Sequence, residues 1–589
     1  MSRLPAWLDP TTTSAAVAFA IALAIANGIW ILVDNSVPAW DQAHYLSTTL
    51  QYQHSLESGG PIDLLRTIRD TDPSHGPLYT VALLPFFIVF GASAGSAMVL
   101  NLVLAPVLYF CAGEIAWTIF RRPFARYLSM FLVAAMPILI GLFHNVLQEF
   151  TVTALAALSL LLLLRSELFQ RRWMTWGMAF TMGLGTLTKV TFPAFVIGPF
   201  VVVLARAIVG WTGRGDEDAR RDWRPAAVNL GVAALVLLVV AGVWYGPNLS
   251  PTLDYIRSTT SGPLSEGAGP KDPITFHNIT TFTTGVINFN LSWAILGLGL
   301  IALAINAGKV RALLARPRRA EPLWNLAFLL AWVTIPYLSV ALAHNQDVRL
   351  MSPAFPGVAI LVAGAVAAIE RRRLRLALTG IAVLVLTYQA VNHVAEITPG
   401  FLPDRPHLTV SSYEAALQLD SEPIGYEKLP GDDYATPIFE YMEGVAEAQP
   451  GGLALPRTVC MLESQAVVNS NTFGFYSAAR GDPFGYADVV SGPGGTEREL
   501  EEVLSGCDFA LYIKQPRPTA ATKESRIVLV NEPYAANHMT PRLFALFGGP
   551  SRTFPVTEPT AAEREGGYLG DFGGETVRVL TRPRQEEQP

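Results

Sequence analysis

Residues 77–91 read PLYTVALLPFFIVFG. The stretch is apolar, but it is short and carries an internal Pro85. A membrane-crossing helix needs about 20 mostly apolar residues. Whether this run crosses is decided by its neighbours. Clear apolar runs occupy roughly 13–33, 93–120, 127–143, 150–164, 174–190, 192–209, 226–246, 285–306, 324–343, 350–369 and 375–395, eleven in all. Five basic clusters lie between them: Arg121-Arg122 with Arg126, Arg165 with Arg171-Arg172, Arg220-Arg221 with Arg224, Lys309 through Arg319, and Arg371 through Arg375. Short basic loops belong in the cytoplasm. All five fall on that side if the eleven runs span, the N-terminus is inside, and 77–91 does not cross. The run 77–91 is therefore expected to lie on, or dip into, the outer face within a first external loop, 34–92.

Composition agrees with a membrane protein. Of 589 residues, 51% are hydrophobic and only 15% charged, with a mean hydropathy of +0.34. A soluble globular chain carries about 25% charge. Such values exclude a soluble enzyme, a disordered tail and a nucleic-acid binder. The net charge of -6 conceals an asymmetry. Residues 396–589 hold 28 Asp and Glu against 15 Lys and Arg, a net of -13, which leaves +7 for residues 1–395. The expected organisation is a transmembrane module, 1–395, followed by a water-soluble domain, 396–589. An odd number of spans from an inside start puts that domain outside. The first run has no small-residue cleavage site, so it reads as a span rather than a signal peptide.

The polar third has globular features. Residues 457–462 (RTVCML) and 508–513 (DFALYI) read as short buried strands, 576–581 (TVRVLT) as an alternating final strand, and 497–505 (ERELEEVLS) as an amphipathic helix. These predict an α/β or α+β domain with a frayed tail after 581. Cys460 and Cys507 either pair, if the domain is extracytoplasmic, or stay as buried thiols. Cys111 lies in an apolar run and reads as a packing residue.

The outer face collects the unusual residues. The first loop opens DNSVPAWDQAHYL, with Asp34, Trp40, Asp41, His44 and Tyr45, and continues through Asp70, Asp72 and SHGPLY, with His75. Carboxylates beside Trp and Tyr can simply anchor an interface. Asp41 stands out, because a carboxylate in a half-dry setting can act as a base or hold a metal. The turn HNVLQEF supplies His144 and Glu149; the latter either snorkels or is functional. Asp41, Glu149 and His144 are the candidate ligands of a divalent metal ion, whose presence the sequence leaves open. Lys189 and Arg349 sit at outer span ends, where cations are disfavoured. They either pair with Asp347 or Glu149 or hold an anionic phosphate. Few ionisable residues lie near the middle of the spans, a pattern that suits chemistry at the water–lipid boundary better than transport. Glu114 lies in the second span, near its inner end.

AWDQAHYL after the first span, SHGPLYTVALLPFFIVFG, LGTLTK, VWYGPN after the seventh span and the late HNQDVRLMSPAFP together resemble the GT-C membrane glycosyltransferases. The closest group is glycosyltransferase family 39 and its relatives: protein O-mannosyltransferases, the aminoarabinose transferases that modify lipid A, and RgtA/B/C/D-like galacturonosyl and mannosyl transferases. The likeness covers residues 10–370. Relatives usually carry Asp-Glu where this chain has Asp41-Gln42, often a double Pro where it has Gly76-Pro77, and a second Asp where it has Glu149.

The resemblance implies a mainly α polytopic membrane protein of about eleven transmembrane helices, GT-C type, with a C-terminal extracytoplasmic α/β domain. It implies an inverting transfer of sugar from a polyprenyl-monophosphate donor to a lipid, glycan or protein hydroxyl on the outer face of the cytoplasmic membrane. Asp41 would be the base, and Lys189 and Arg349 would hold the donor phosphate. Tyr45, His44, His75 and Glu149 would bind substrate. Three other readings compete: a lipid-linked oligosaccharide polymerase or ligase using a diphosphate donor, a lipid-linked sugar flippase, and a membrane-tethered binding protein.

Overall fold

The structure is a computed structural model. It describes residues 9–32, 38, 40–212, 222–261, 273–315, 320–395, 435–449, 452–454, 457–462, 469–482, 484–489, 497–514, 542–543, 546–549, 551–555 and 576–582. Asp34, the segment 396–434 and the tail after Arg582 lie outside the described residues. The helices run α1 Thr13–Gly28, α2 Trp40–Thr71, α3 Leu78–Phe90, α4 Ala94–Phe120, α5 Pro123–Ala134, α6 Pro137–Phe143, α7 Gln148–Arg165, α8 Arg172–Thr188, α9 Pro193–Trp211 and α10 Arg224–Tyr245. They continue as α11 Leu249–Ser261, α12 Phe276–Gly285, α13 Trp293–Ile305, α14 Ala307–Leu314, α15 Ala320–Ala341, α16 Phe355–Ala367 and α17 Arg372–Ala395.

Each of the eleven apolar runs is helical. Seven helices among the described residues are long and apolar enough to cross a membrane. Two bent pairs, α5 with α6 at 59° and α13 with α14, raise that to nine. The first break precedes Pro137, which cannot donate the hydrogen bond a continuous helix would need there. The two remaining runs, α1 with 16 residues and α8 with 17, are shorter. Helix α3 has 13 residues, about 20 Å of rise, too little for a hydrocarbon core of about 30 Å. The protein is a polytopic membrane protein.

The chain divides into two compact units. One comprises Met1–Val33, Ile68–Leu83 and Met98–Tyr426; the other comprises Asp34–Thr67, Leu84–Ala97 and Glu427–Pro589. In the first unit, contacts draw the described residues of the five basic clusters to one end of the helix bundle. Buried Glu114, near the end of α4, pairs with Arg126 at the start of α5 and with Arg165 at the end of α7. Arg122 donates to the Ala367 carbonyl, and Lys309 donates to Ala368 at 2.8 Å. The Arg375 guanidinium lies 4.9 Å from the centre of the Phe124 ring. Gln170 donates to the Asp222 carbonyl at 3.0 Å, which brings in the fifth cluster.

The second unit contains a mixed five-stranded sheet. Its strands are β1 Arg457–Met461, β2 Phe484–Asp488, β3 Phe509–Lys514, β4 Ser551–Pro555 and β5 Thr576–Thr581, in the order β2-β1-β3-β5-β4. β1 is parallel to β2 and β3, and β5 is antiparallel to β3 and β4. The helices α18 Thr436–Glu447, α19 Ser470–Arg480 and α20 Glu497–Ser505 complete it. Side chains alternate across a strand. Val459, Met461, Phe509, Leu511, Val577 and Val579 accordingly share a core with Ile438, Phe439 and Phe473. Cys460, Ala510 and Leu580 belong to a second core with Leu500 and Leu504. The first-loop segment joins this unit: buried Thr472 donates to the Pro38 carbonyl at 3.0 Å. Within that segment α2 breaks at Gly60, which adopts φ 75° ahead of Pro61.

A disulfide joins Cys460 to Cys507 and ties β1 to the turn after α20. It closes a loop of 47 residues. Closing a loop of that size restricts the unfolded chain by about 4 kcal/mol. Cys507→Ser should therefore destabilise this unit by about 2–5 kcal/mol. Thermal unfolding of the purified protein with and without reductant checks this: reductant should lower the wild-type midpoint and leave the variant unchanged.

Candidate active site

Helix α7 sets the frame. Its 18 residues rise about 27 Å. Arg165, in the last turn, belongs to the basic end; Glu149, in the first turn, marks the opposite end. Leu147 holds extended backbone just before the helix, so Gln148 and Glu149 start the turn and the Glu149 side chain is buried among helices. It is only 3% exposed. A carboxylate is costly there unless it is paired.

Two cations supply the pairing. The Lys189 Nζ lies 2.7 Å from Glu149 Oε1, and Arg349 Nε lies 3.8 Å from the same oxygen. Lys189 follows α8, where the chain turns to extended geometry. Arg349 belongs to a 3-10 turn, Val348–Ala354, which is pinned when Trp332 donates to the Pro353 carbonyl at 2.8 Å. Asp347 starts that turn. It accepts from the Arg349 backbone N–H at 2.9 Å and pairs with Arg349 Nε at 2.6 Å. Both cations thus pair with carboxylates, Lys189 with Glu149 and Arg349 chiefly with Asp347. Glu149 reads as the residue that positions the cations, with its second oxygen, Oε2, buried and lacking a hydrogen bond among the described residues.

Three distant motifs meet at the end of α8. A side chain on Gly76 would collide with the Leu187 carbonyl, so only glycine lets SHGPLY lie against LGTLTK. The Tyr245 hydroxyl of VWYGPN donates to the Thr186 carbonyl at 2.7 Å. Next to Gly76, His75 Nδ1 lies 2.8 Å from Asp72 Oδ2, and its ring centre is 4.3 Å from that of Tyr255. The composition of the outer loops did not single out Tyr245 or Tyr255. Only the quoted motif VWYGPN pointed toward the first. Asp70 forms an exposed pair with its neighbour Arg69 at 2.6 Å.

Asp41, His44 and Tyr45 belong to the second unit. They occupy the first turns of α2, where residues i, i+3 and i+4 share a face. The His44 and Tyr45 rings meet edge to face, 5.8 Å apart. His144 has a ring nitrogen 3.4 Å from the Asn27 carbonyl. Among the described residues no three His, Cys, Asp or Glu side chains are arranged to hold a metal ion.

The arrangement of helices is similar to that of ArnT from Cupriavidus metallidurans in the apo state, with a TM-score of 0.53 over 87% of this chain and 95% of that one, at 13% identity. It is also similar to the apo oligosaccharyltransferase of Archaeoglobus fulgidus, with a TM-score of 0.51 over 86% and 70%, at 13% identity. The fold is GT-C. No family model matches the chain, and no curated protein matches it. At this identity the likeness fixes the GT-C architecture and assigns no substrate.

Removing one partner of a buried ion pair costs about 3–5 kcal/mol. Glu149→Gln should therefore lower the thermal midpoint clearly. The double variant Glu149→Gln/Lys189→Met should recover most of the loss, because no unpaired ammonium is left inside. Equal midpoints for the single and double variants would show that the pair is not coupled.

Proposed function

We propose that this protein transfers a sugar from a polyprenyl-monophosphate donor to an acceptor hydroxyl at the outer face of the cytoplasmic membrane, with inversion at the anomeric carbon. The observation that carries the reading is the pair of cations held by buried Glu149 at the end of the bundle opposite all five basic clusters. A bundle with its basic loops in the cytoplasm puts Lys189 and Arg349 on the outer side. The disulfide supports the same orientation for the C-terminal domain, since disulfides persist in oxidising compartments.

In this reading the acceptor oxygen attacks the anomeric carbon as the bond to the phosphate oxygen breaks. The phosphate leaves with that bonding pair. Asp41 takes the acceptor proton. Phosphate is a good leaving group, so no general acid is required. Lys189 and Arg349 hold the phosphate and stabilise the charge that grows on it. Glu149 and Asp347 touch Arg349 at Nε. Glu149 positions both cations. His75, His44 and Tyr45 line the sugar and acceptor sites. The acceptor is a lipid, glycan or protein.

The second reading, a polymerase or ligase acting on lipid-linked oligosaccharide, draws on the likeness to the Archaeoglobus oligosaccharyltransferase. Donor chemistry separates the two. Purified protein in nanodiscs should release polyprenyl phosphate from short-chain polyprenyl-monophosphate sugars and leave diphosphate donors intact. Release from diphosphate donors alone would favour the second reading. Asp41→Asn should lose at least about 100-fold in turnover, the lower range for a general base. Arg349→Ala should raise the donor KM. Full turnover in Asp41→Asn would remove it as the base.

Orientation has its own test. Single cysteines placed at 121–126 and at exposed positions of 436–447 should be labelled from opposite sides of the membrane. Labelling of both from one side would overturn the topology.

A further inference from the structure

At the basic end of the bundle, a groove of about 480 Å³ opens between α1, α5 and α17. Its walls include Phe19 of α1, Phe124, Tyr127 and Phe131 of α5, and Thr379 and Val383 of α17. All three helices begin at this end. Arg126 donates to the Thr12 carbonyl at 2.9 Å, just before α1, and Arg375 lies over Phe124. The groove's accessible lining is apolar; the Tyr127 and Thr379 hydroxyls are buried behind it.

The polarity is graded along the helices. Arg375, Thr379 and Val383 lie at i, i+4 and i+8 on one face of α17, so Val383 is about 12 Å deeper than Arg375. On α5 the order repeats: Arg122 precedes Phe124, Tyr127 and Phe131. Phe19 closes the deep end, with its ring centre 5.2 Å from that of Tyr127. Cations thus sit at the mouth, with aromatic and aliphatic walls below them. The charge at the mouth is positive. Arg122 and the exposed Arg371, Arg372 and Arg373 accompany Arg375. Of the nearby carboxylates, Asp9 is held by the backbone N–H and hydroxyl of Thr11 at 3.0 and 2.7 Å, and Glu370 pairs with Lys309 at 2.8 Å.

We propose that this groove binds an anionic glycerophospholipid of the surrounding bilayer, with its phosphate at Arg375 and Arg122 and one acyl chain along Phe131 and Val383. The bound lipid fills the seam between α1 and α17. The site lies at the end opposite Lys189, so it is separate from the donor site proposed above and stands without it.

The test uses the full chain in nanodiscs doped with diazirine-tailed phosphatidylglycerol or phosphatidylcholine, with photolabelled peptides mapped by mass spectrometry. Peptides covering 123–131 and 379–383 should be labelled about fivefold more by phosphatidylglycerol, the factor that one arginine's attraction to an anionic headgroup is worth. Arg375→Gln should bring the ratio toward one. Thr379→Trp fills the groove and should abolish labelling by either lipid. Equal labelling by the two headgroups in the wild type would overturn the proposal, and that arm needs no variant to fold. Labelling that persists in Thr379→Trp would also overturn it, as would labelling confined to a diazirine polyprenyl phosphate.

Discussion

The buried carboxylate of Glu149 is the constraint on which the end of the bundle opposite the basic clusters depends. An ionised group in a low-dielectric interior is tolerated only with opposite charge close by. Lys189 arrives from the end of α8 and Arg349 from the turn before α16. These segments are 40 and 200 residues from Glu149 in sequence, yet one oxygen fixes where both chain ends must come. A cation placed by such an anchor loses little further freedom when it meets a phosphate. That is the condition for electrostatic catalysis, in which the charges are positioned before the reaction needs them.

The other end of α7 is organised the same way with the roles of the chains changed. There a buried carboxylate, Glu114, gathers Arg126 and Arg165. Two ion clusters about 24 Å apart along one helix pin the bundle at both levels. Each level keeps a cation within reach of solvent: at the basic end Arg126 is 1% exposed but the Arg165 side chain is 37% exposed, and at the opposite end Arg349 is 29% and Lys189 17% exposed.

Much of this was legible in the sequence, for identifiable reasons. Apolar runs are long-range signals that local context cannot erase, and all eleven became helices. The strands at 457–461, 509–514 and 576–581 were legible because they are central and alternate between two cores. β2 and β4 were not, because FGYAD and SRTFP are edge strands with little apolar periodicity. The helix α19 was missed for a related reason: its Gly474 and polar residues dilute the apolar stripe. Lys189, Arg349 and Glu149 were visible as misplaced charges. Their mutual pairing was one of the readings left open, and it is the arrangement found. The Asp72–His75–Tyr255 group was not visible, because it joins residues 180 apart through a ring contact that no spacing encodes.

The LGTLTK segment shows how weak motifs combine. Its backbone carbonyls at Thr186 and Leu187 are met by Tyr245 and by the bare Cα of Gly76, and its lysine meets Glu149. Each contact uses a different property: a hydroxyl donor, the absence of a side chain, and a charge. A substitution at any of them disturbs the same few ångströms of chain. This explains why the order of the motifs along the sequence carried more information than any motif alone. The segments between them are membrane helices whose lengths are set by the bilayer. Short polar elements at one end of such helices have only one level at which to meet. SHGPLY, LGTLTK and VWYGPN meet at the end of the bundle opposite the basic clusters.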